Sequence, residues 1–317
     1  MIKDPVIAVV VAYQPKAGEL EASVRSLLQN FKEIVVVWNG PHLFKVPTFL
    51  KHKRIHLLDM KDNVGLAKAL NEGMGKAFSL GAEWAYLSDQ DSTIAADFGE
   101  RMIEGARMIP KHKKIAAIGP SYFNEVTGQK NSFIQFRFLR LIRVQPNHEA
   151  FIEAAYIISS GSFIPKEAFK KIGPFKEPLF IDFIDIEWGL RASYYGYQTY
   201  ALPRVTFHHQ LGDSSLNIFG QIFPIHSPLR MYYFFRNSIY LYKQNYIALN
   251  WKFIDASRSI FRFLFFIILV KPRLRYLKMG LLGLFHGFTS RMGKLWLKIK
   301  LFLMVNLFIY PLRALHE

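Results

Sequence analysis

Two rhythms of apolar and polar positions alternate through the first half of the chain. Val6–Ala12 is a continuous apolar run, as a strand buried on both faces requires. Leu20–Gln29 carries apolar residues at helical spacing, and Ile34–Trp38 is a second strand closed by the turn former Asn39-Gly40-Pro41. Arg54–Leu58 predicts a short strand. Leu66–Leu80 predicts a helix with Leu66, Ala69, Leu70, Met74 and Ala77 on one face, and Asn63 just upstream is placed to cap it. Trp84–Ser88 predicts a strand, Asp97–Met108 a helix and Ile115–Gly119 a strand. This alternation predicts an α/β domain with a mainly parallel sheet, whose ligands sit beyond the carboxyl ends of the strands. Three strand ends carry Ala12-Tyr13, Asn39-Gly40 and Asp89-Gln90-Asp91, so these should line one crevice.

Farther along, Phe123–Phe138 is irregular and reads as a hairpin or flap. Phe151–Ile158 and Gly161–Pro165 read as strands joined through Ser159-Ser160-Gly161, and Lys166–Ile172 as a short helix. Ile184–Tyr195 is a helix entered through an acidic loop that begins at Asp182. Thr199–Phe207 is a strand leading into His208-His209-Gln210-Leu211-Gly212-Asp213. From residue 221 the pattern turns long and helical. The expected organisation is an α/β domain over 1–220 whose two halves meet near residue 120. A helical region over 221–317 follows.

Charge sharpens that division. The 317 residues carry a formal net charge of +17. Residues 221–317 hold 15 Lys and Arg against 2 Asp and Glu, while residues 1–220 hold 26 against 22. The last third is therefore basic and also rich in Phe, a combination that suits an anionic membrane surface or a nucleic acid. Its apolar runs Ser259–Val270 and Leu301–Leu312 are each about 12 residues, against the roughly 20 that a spanning helix needs. They predict interfacial or re-entrant helices whose basic residues meet headgroups, with a buried helical subdomain as the alternative. The absence of Cys excludes disulfides, Cys-ligated zinc and thiol catalysis. Asp4 and Pro5 interrupt the N-terminal apolar run, so no signal peptide is expected there.

Asp89 and Asp91 carry the chemistry that stands out most. Two carboxylates one residue apart at a strand end suit a hard divalent cation, which in turn holds phosphates. No GxGxxG follows a strand and no Walker loop is present, which argues against a dinucleotide-dependent dehydrogenase or a P-loop enzyme. Tyr13-Gln14-Pro15-Lys16-Ala17-Gly18 is a poor version of a nucleotidyltransferase loop. A basic binding protein without catalysis would not need the ordered acidic and Asn motifs, and no nucleic-acid partner is expected.

Val9-Val10-Val11-Ala12-Tyr13, Trp38-Asn39-Gly40, the stretch Asn63-Val64-Gly65 through Asn71, and Leu87-Ser88-Asp89-Gln90-Asp91-Ser92 resemble family 2 inverting glycosyltransferases of the GT-A fold. The Asp-Gln-Asp-Ser form, with Asp185-Ile186-Glu187-Trp188 and His209 through Asp213, resembles the bacterial rhamnosyltransferase branch. The resemblance runs from about residue 6 to 245. It implies that Ala12, Tyr13 and Asn39 flank the nucleobase, and that Asn63, Gly65 and Asn71 shape the nucleotide loop. Asp89, with Gln90 beside it, would face the ribose or the cation. Asp91 would ligate Mg²⁺ or Mn²⁺, His209 would join it or touch the diphosphate, and Asp185 would be the general base. Many family members carry two consecutive acidic residues where this chain has Ile184-Asp185, so a single candidate base remains in the matched position.

The implied donor is dTDP-rhamnose, with UDP-galactofuranose or a UDP-N-acetylhexosamine as alternatives. The implied acceptor is a polyprenyl-diphosphate-linked glycan of an O-antigen-like polysaccharide, met at the cytoplasmic face of the bacterial inner membrane. Asp182 is the main competitor for the role of base. Ser160, Gly161, Glu187 and Trp188 are candidates for the acceptor pocket, and Arg191 either reaches a diphosphate or pairs with Glu187. Because Asp185 opens a helix, the dipole is expected to lower its pKa.

Overall fold

A computed structural model describes residues 5–16, 18–41, 46–124, 129–130, 132–137, 140–146, 149–208, 214–218 and 221–295. The first half alternates β1 (Val6–Ala12), α1 (Glu19–Asn30), β2 (Ile34–Trp38), β3 (Ile55–Asp59), α2 (Leu66–Ser79), β4 (Trp84–Asp89), α3 (Phe98–Arg107) and β5 (Ile115–Asn124). Next come β6 (Gln129–Lys130), β7 (Phe133–Arg137), β8 (Arg140–Val144), β9 (Ile152–Ala154), β10 (Phe163–Pro165), α4 (Lys166–Ile172), α5 (Ile184–Tyr194), β11 (Gln198–His208), β12 (Ser214–Ile218) and β13 (Gln221–Ile225). Three helices close the described chain: α6 (Pro228–Tyr242), α7 (Leu249–Leu269) and α8 (Arg273–Phe288).

Every residue of β1 is buried because the sheet is covered on both sides. Ile7, Val9 and Val11 enter a core with Leu70 and Met74 of α2 and Ile184 and Trp188 of α5. Ala8, Val10 and Ala12 enter a second core with Val24 and Leu27 of α1 and Met102 of α3. The period of two along the strand thus feeds two layers of helices. The sheet order is β3-β2-β1-β4-β10-β5-β11-β9. β1 pairs in parallel with both β2 and β4, which makes the gap between β1 and β4 the point where the winding reverses. β10 runs antiparallel between β4 and β5, so the sheet is mixed but mainly parallel.

Three stretches depart from the sequence reading. The strand expected over 151–158 is reduced to Ile152–Ala154, because only these residues find a partner on β11 at the sheet edge. Residues 221–225 form a strand rather than the start of a helix, paired with Ser214–Ile218. Ser259–Val270 is the second half of the 21-residue helix α7, not a separate short segment. Leu301–Leu312 and His209 lie outside the described residues.

α6 and α8 pack against one another and against the loop before α5. Gly283 makes this possible, since a Cβ there would lie within about 3.2 Å of three Tyr232 main-chain atoms. The helical region therefore borders the site.

Candidate active site

The carboxyl ends of β1, β2 and β4 meet as the alternation predicts. Val11 is registered beside Asp89, and Ala12 beside Trp38. Backbone groups that run past the ladder need other partners. The Asn39 amide N–H donates to the Ala12 carbonyl at 2.8 Å, and the Tyr13 N–H donates to Gln90 Oε1 at 2.7 Å. Asn39 is buried: its Oδ1 accepts from the Val64 N–H at 2.9 Å and its Nδ2 donates to Asn63 Oδ1 at 3.4 Å. Asn63 Oδ1 also accepts from the Gly65 N–H at 3.0 Å. Asn39, Asn63 and Gly65 thus form one network on the crevice wall, with the exposed Tyr13 ring at its mouth.

A cavity of about 410 Å³ opens beside this crevice and contains Asp89, Ser160, Asp182 and Asp185. Asp185 lies in the first turn of α5, where its Oδ1 accepts from the Ile186 N–H at 2.8 Å. Burial in this cavity, which Phe183, Met231 and Phe234 also line, pushes its carboxyl up to about 6; peptide N–H groups pull the other way, and the Asp182 charge adds to the rise. The lowering expected from the helix dipole is overturned, because desolvation outweighs the first-turn field. Asp182 is engaged elsewhere, in an ion pair with Arg230 at 2.6 Å. Asp185 has no such ion pair among the described residues.

The approach to Asp185 is strained. Phe180, Asp182 and Phe183 all have positive φ, near 60°, in the left-handed region that costs non-glycine residues energy. α6 holds them there. Asn237 Nδ2 donates to the carbonyls of Leu179, Ile181 and Asp182 at 2.7–3.0 Å, and the Arg236 guanidinium donates to Leu179 at 2.8 Å. The Phe180 carbonyl then accepts from the Leu66 N–H at 2.7 Å, which satisfies an orphan donor at the start of α2. Asn63 is not the cap; Gly65 occupies that position without a side-chain bond.

A sequence profile described as glycosyl transferase family 2 matches residues 7–173, a stretch that contains β1 through β5 and the Asp89–Asp91 turn. The chain belongs to this family. It is 30% identical over 295 residues to the dTDP-rhamnosyl transferase RfbF of Shigella flexneri, covering 91% of this chain and 97% of that protein. Among solved structures it resembles S. aureus TarS 1–349, with a TM-score of 0.55 at 14% identity over 90% of this chain and 82% of that one. It also resembles GalNAc-T7 with UDP, GalNAc and Mn²⁺, with a TM-score of 0.52 at 14% identity over 81% of this chain. The match spans about half of GalNAc-T7, 54% of its length. These likenesses agree with the mixed sheet covered by helices on both faces: the chain has the GT-A fold and is a glycosyltransferase.

Several residues expected at the site of this glycosyltransferase act from behind it. Asn71 is buried and turned away from the crevice; its amide pairs with both backbone groups of Phe175 at 2.9 Å, tying α2 to the loop before α5. Gly65 has φ near 90°, and a Cβ there would meet Phe180 Cδ2 at 2.5 Å, so the close approach it permits is that of Phe180. Glu187 is fully buried and bonds Arg191 in fork-to-fork geometry at 2.8 and 3.0 Å. It also accepts from the Tyr246 hydroxyl. Two residues after Asp185, it lies about 200° round the helix and faces the core. Trp188 donates from Nε1 to the Gly173 carbonyl at 2.8 Å. Neither Glu187 nor Trp188 lines the 410 Å³ cavity; Trp188 meets Asp185 only across a separate void of about 10 Å³.

Ser160 does line that cavity, and its Oγ accepts from the Asp89 N–H at 3.3 Å. Gly161, with φ near 84°, makes the turn behind it and donates to the Leu87 carbonyl at 2.8 Å. Sequence reasoning missed His226, Arg230 and Arg262 in the cavity wall. The available signal was Arg262 itself, a cation inside an apolar helical run that was read as a headgroup contact. Its guanidinium stacks over the Phe234 ring at 4.1 Å.

Asp91 is exposed in the turn after β4, two residues from Asp89. Among the described residues no group of three or more His, Cys, Asp or Glu is gathered closely enough to hold a metal by itself. A Mg²⁺-type site does not require one, since one or two carboxylates, water and substrate phosphates complete the shell. The hard oxygen donors of Asp89 and Asp91 fit that chemistry.

Proposed function

We propose that this glycosyltransferase moves rhamnose from dTDP-rhamnose, with inversion, to a hydroxyl of a lipid-linked surface glycan. The observation that carries the reading is Asp185. It is a carboxylate raised to about 6, in a cavity that also contains Asp89 at the end of β4. The likeness to the rhamnosyl transferase over nearly the whole chain supports the sugar. The base and ribose lie against Ala12, Tyr13 and Asn39. Asp185 takes the proton of the acceptor hydroxyl as its oxygen bonds to the anomeric carbon. The bond from that carbon to the diphosphate breaks on the opposite side, and dTDP leaves with the electron pair. Asp89 and Asp91 would hold Mg²⁺ or Mn²⁺, which when bound supplies positive charge to the leaving diphosphate.

The test is turnover on a panel of nucleotide-sugars, with and without Mg²⁺ or Mn²⁺, for wild type and Asp91→Ala. Cation-dependent use of dTDP-rhamnose that Asp91→Ala abolishes is the expected result. Preference for a UDP-sugar would overturn the rhamnose assignment.

The acceptor's carrier directs attention to α7 and α8. Phe253, Ile260, Leu264 and Ile268 form an exposed stripe along α7 at helical spacing, and Leu274, Leu281, Phe285 and Phe288 form another along α8. Exposed Lys271, Arg273, Arg275 and Lys278 lie between and beside them. No helix of the described residues is long and apolar enough to cross a membrane. The two stripes suit helices lying in an anionic interface, which supports a peripheral enzyme at the cytoplasmic face of the inner membrane. Truncation is a poor test, because Tyr246 bonds Glu187 and the Gly293 carbonyl accepts from Arg236. The double variant Phe253→Ser, Phe261→Ser, both at exposed positions, is expected to weaken binding to anionic vesicles roughly 100-fold. Unchanged co-sedimentation would sink the membrane reading.

A further inference from the structure

A second cavity, of about 340 Å³, lies between the β7–β8 hairpin and α7. Its lining is Ile134, Arg140, Leu141, Arg143, Ile254 and Arg258. Three arginines thus line it, with no acidic group among the lining residues. Among the described residues none of the three is held in an ion pair. The one acidic residue of α7, Asp255, is not in the lining and accepts from the Tyr242 hydroxyl at 2.7 Å. The charges of Arg258 and Arg262 act on the Asp255 carboxyl, so one carboxylate stands beside a surplus of guanidiniums. Guanidinium forks match phosphate oxygens, so the groove suits a phosphate-type anion.

Its position says which anion. Arg258 is one helical turn, about 6 Å, before Arg262, and Arg262 lines the cavity of Asp185. Tyr156 feels charges from both cavities. Burial raises its phenol to about 12, and the charges that act on it are those of Asp185, Arg258, Asp255 and Arg143. On the other side, α7 carries the exposed apolar stripe. Ile134, Leu141 and Ile254 give the groove an apolar lining suited to a hydrocarbon next to a phosphate.

We propose that Arg140, Arg143 and Arg258 bind the diphosphate that joins the acceptor glycan to its lipid, so that the glycan reaches from this groove to Asp185. This rests on the lipid-linked reading of the acceptor given above, and it assigns that acceptor a binding site separate from the donor crevice.

The test is binding of a short isoprenyl diphosphate to the full chain, with the donor crevice saturated by dTDP. Wild type is compared with Arg143→Gln, Arg258→Gln and with the charge-keeping Arg143→Lys, Arg258→Lys. Saturable binding to wild type is expected, weakened about 30-fold or more in the Gln pair, as loss of charge-assisted hydrogen bonds dictates, and partly restored in the Lys pair. dTDP affinity, which reports the folded donor crevice, is expected to be the same in all three. Equal binding of the isoprenyl diphosphate by wild type and the Gln pair would overturn the proposal. Inorganic diphosphate binding as tightly as the isoprenyl form would also overturn it, marking a site for free phosphate. So would response only to anionic phospholipid vesicles, which would mark a headgroup patch. If rhamnose transfer fails with every donor while the isoprenyl diphosphate pattern holds, the groove stands and the sugar reading falls.

Discussion

Asp185→Asn is expected to lower glycosyl transfer by about 10² to 10⁴-fold, the range that a lost general base costs, while dTDP binding stays at the wild-type level. Among the described residues Asp182 is held by Arg230 at 2.6 Å, whereas Asp185 lines the cavity and bonds to peptide N–H groups. The wild-type rate is expected to fall as pH drops through about 6, where the raised carboxyl takes up a proton and ceases to act as a base. The Asn variant should lose that limb of the profile. Stability runs the other way. A carboxyl whose folded pKa of about 6 lies above its ordinary value of 3.8 favours the fold fully below that ordinary value. That contribution is lost as pH rises through about 6. Asp185→Asn is therefore expected to be more resistant to denaturant than wild type above pH 6, with the gap closing towards pH 4. Equal denaturation midpoints at pH 8 together with full activity would remove Asp185 from the mechanism.

Glu187→Ala is expected to have the largest effect on stability, a loss of about 3–5 kcal/mol, as breaking a buried ion pair from one side does. The change strands Arg191, whose side chain is 5% exposed, and it removes the acceptor of the Tyr246 hydroxyl. Arg191 also donates to the carbonyls of Ile172 and Pro174, so the loop leading into α5 loosens with it. Denaturant unfolding measures the loss directly. A residue that touched the acceptor would instead raise KM for the acceptor and leave the unfolding midpoint where it was.

These two carboxylates, two residues apart in one motif, show where sequence reading stops. Helical geometry alone says that Asp185 and Glu187 face different directions, but not which of them faces the core. The answer comes from Arg191 and Tyr246, the latter 59 residues farther along the chain. The same holds for the pKa of Asp185. Its place in the first turn is legible locally and predicts a lowered value. The opposing and larger effect is desolvation, in a cavity that Met231 and Phe234 of α6 help to line. Asn71 and Gly65 belong to a recognisable stretch, yet their partners are Phe175 and Phe180, more than a hundred positions away.

The residue pattern fixes the alternating elements over 6–119, because a strand buried on both faces must be continuously apolar and a helix covering it must repeat near 3.6. It also fixes that Ala12, Asn39 and Asp89 meet, because parallel strands bring their carboxyl ends to one edge. Packing in three dimensions sets which acid is desolvated and which is paired, that α6 clamps the strained turn before Asp185, and that Arg143 and Arg258 line one groove, with Arg258 a turn from Arg262. Desolvation and charge pairing depend on what stands within a few ångströms in space, and those neighbours are set by how the helical third folds back on the sheet.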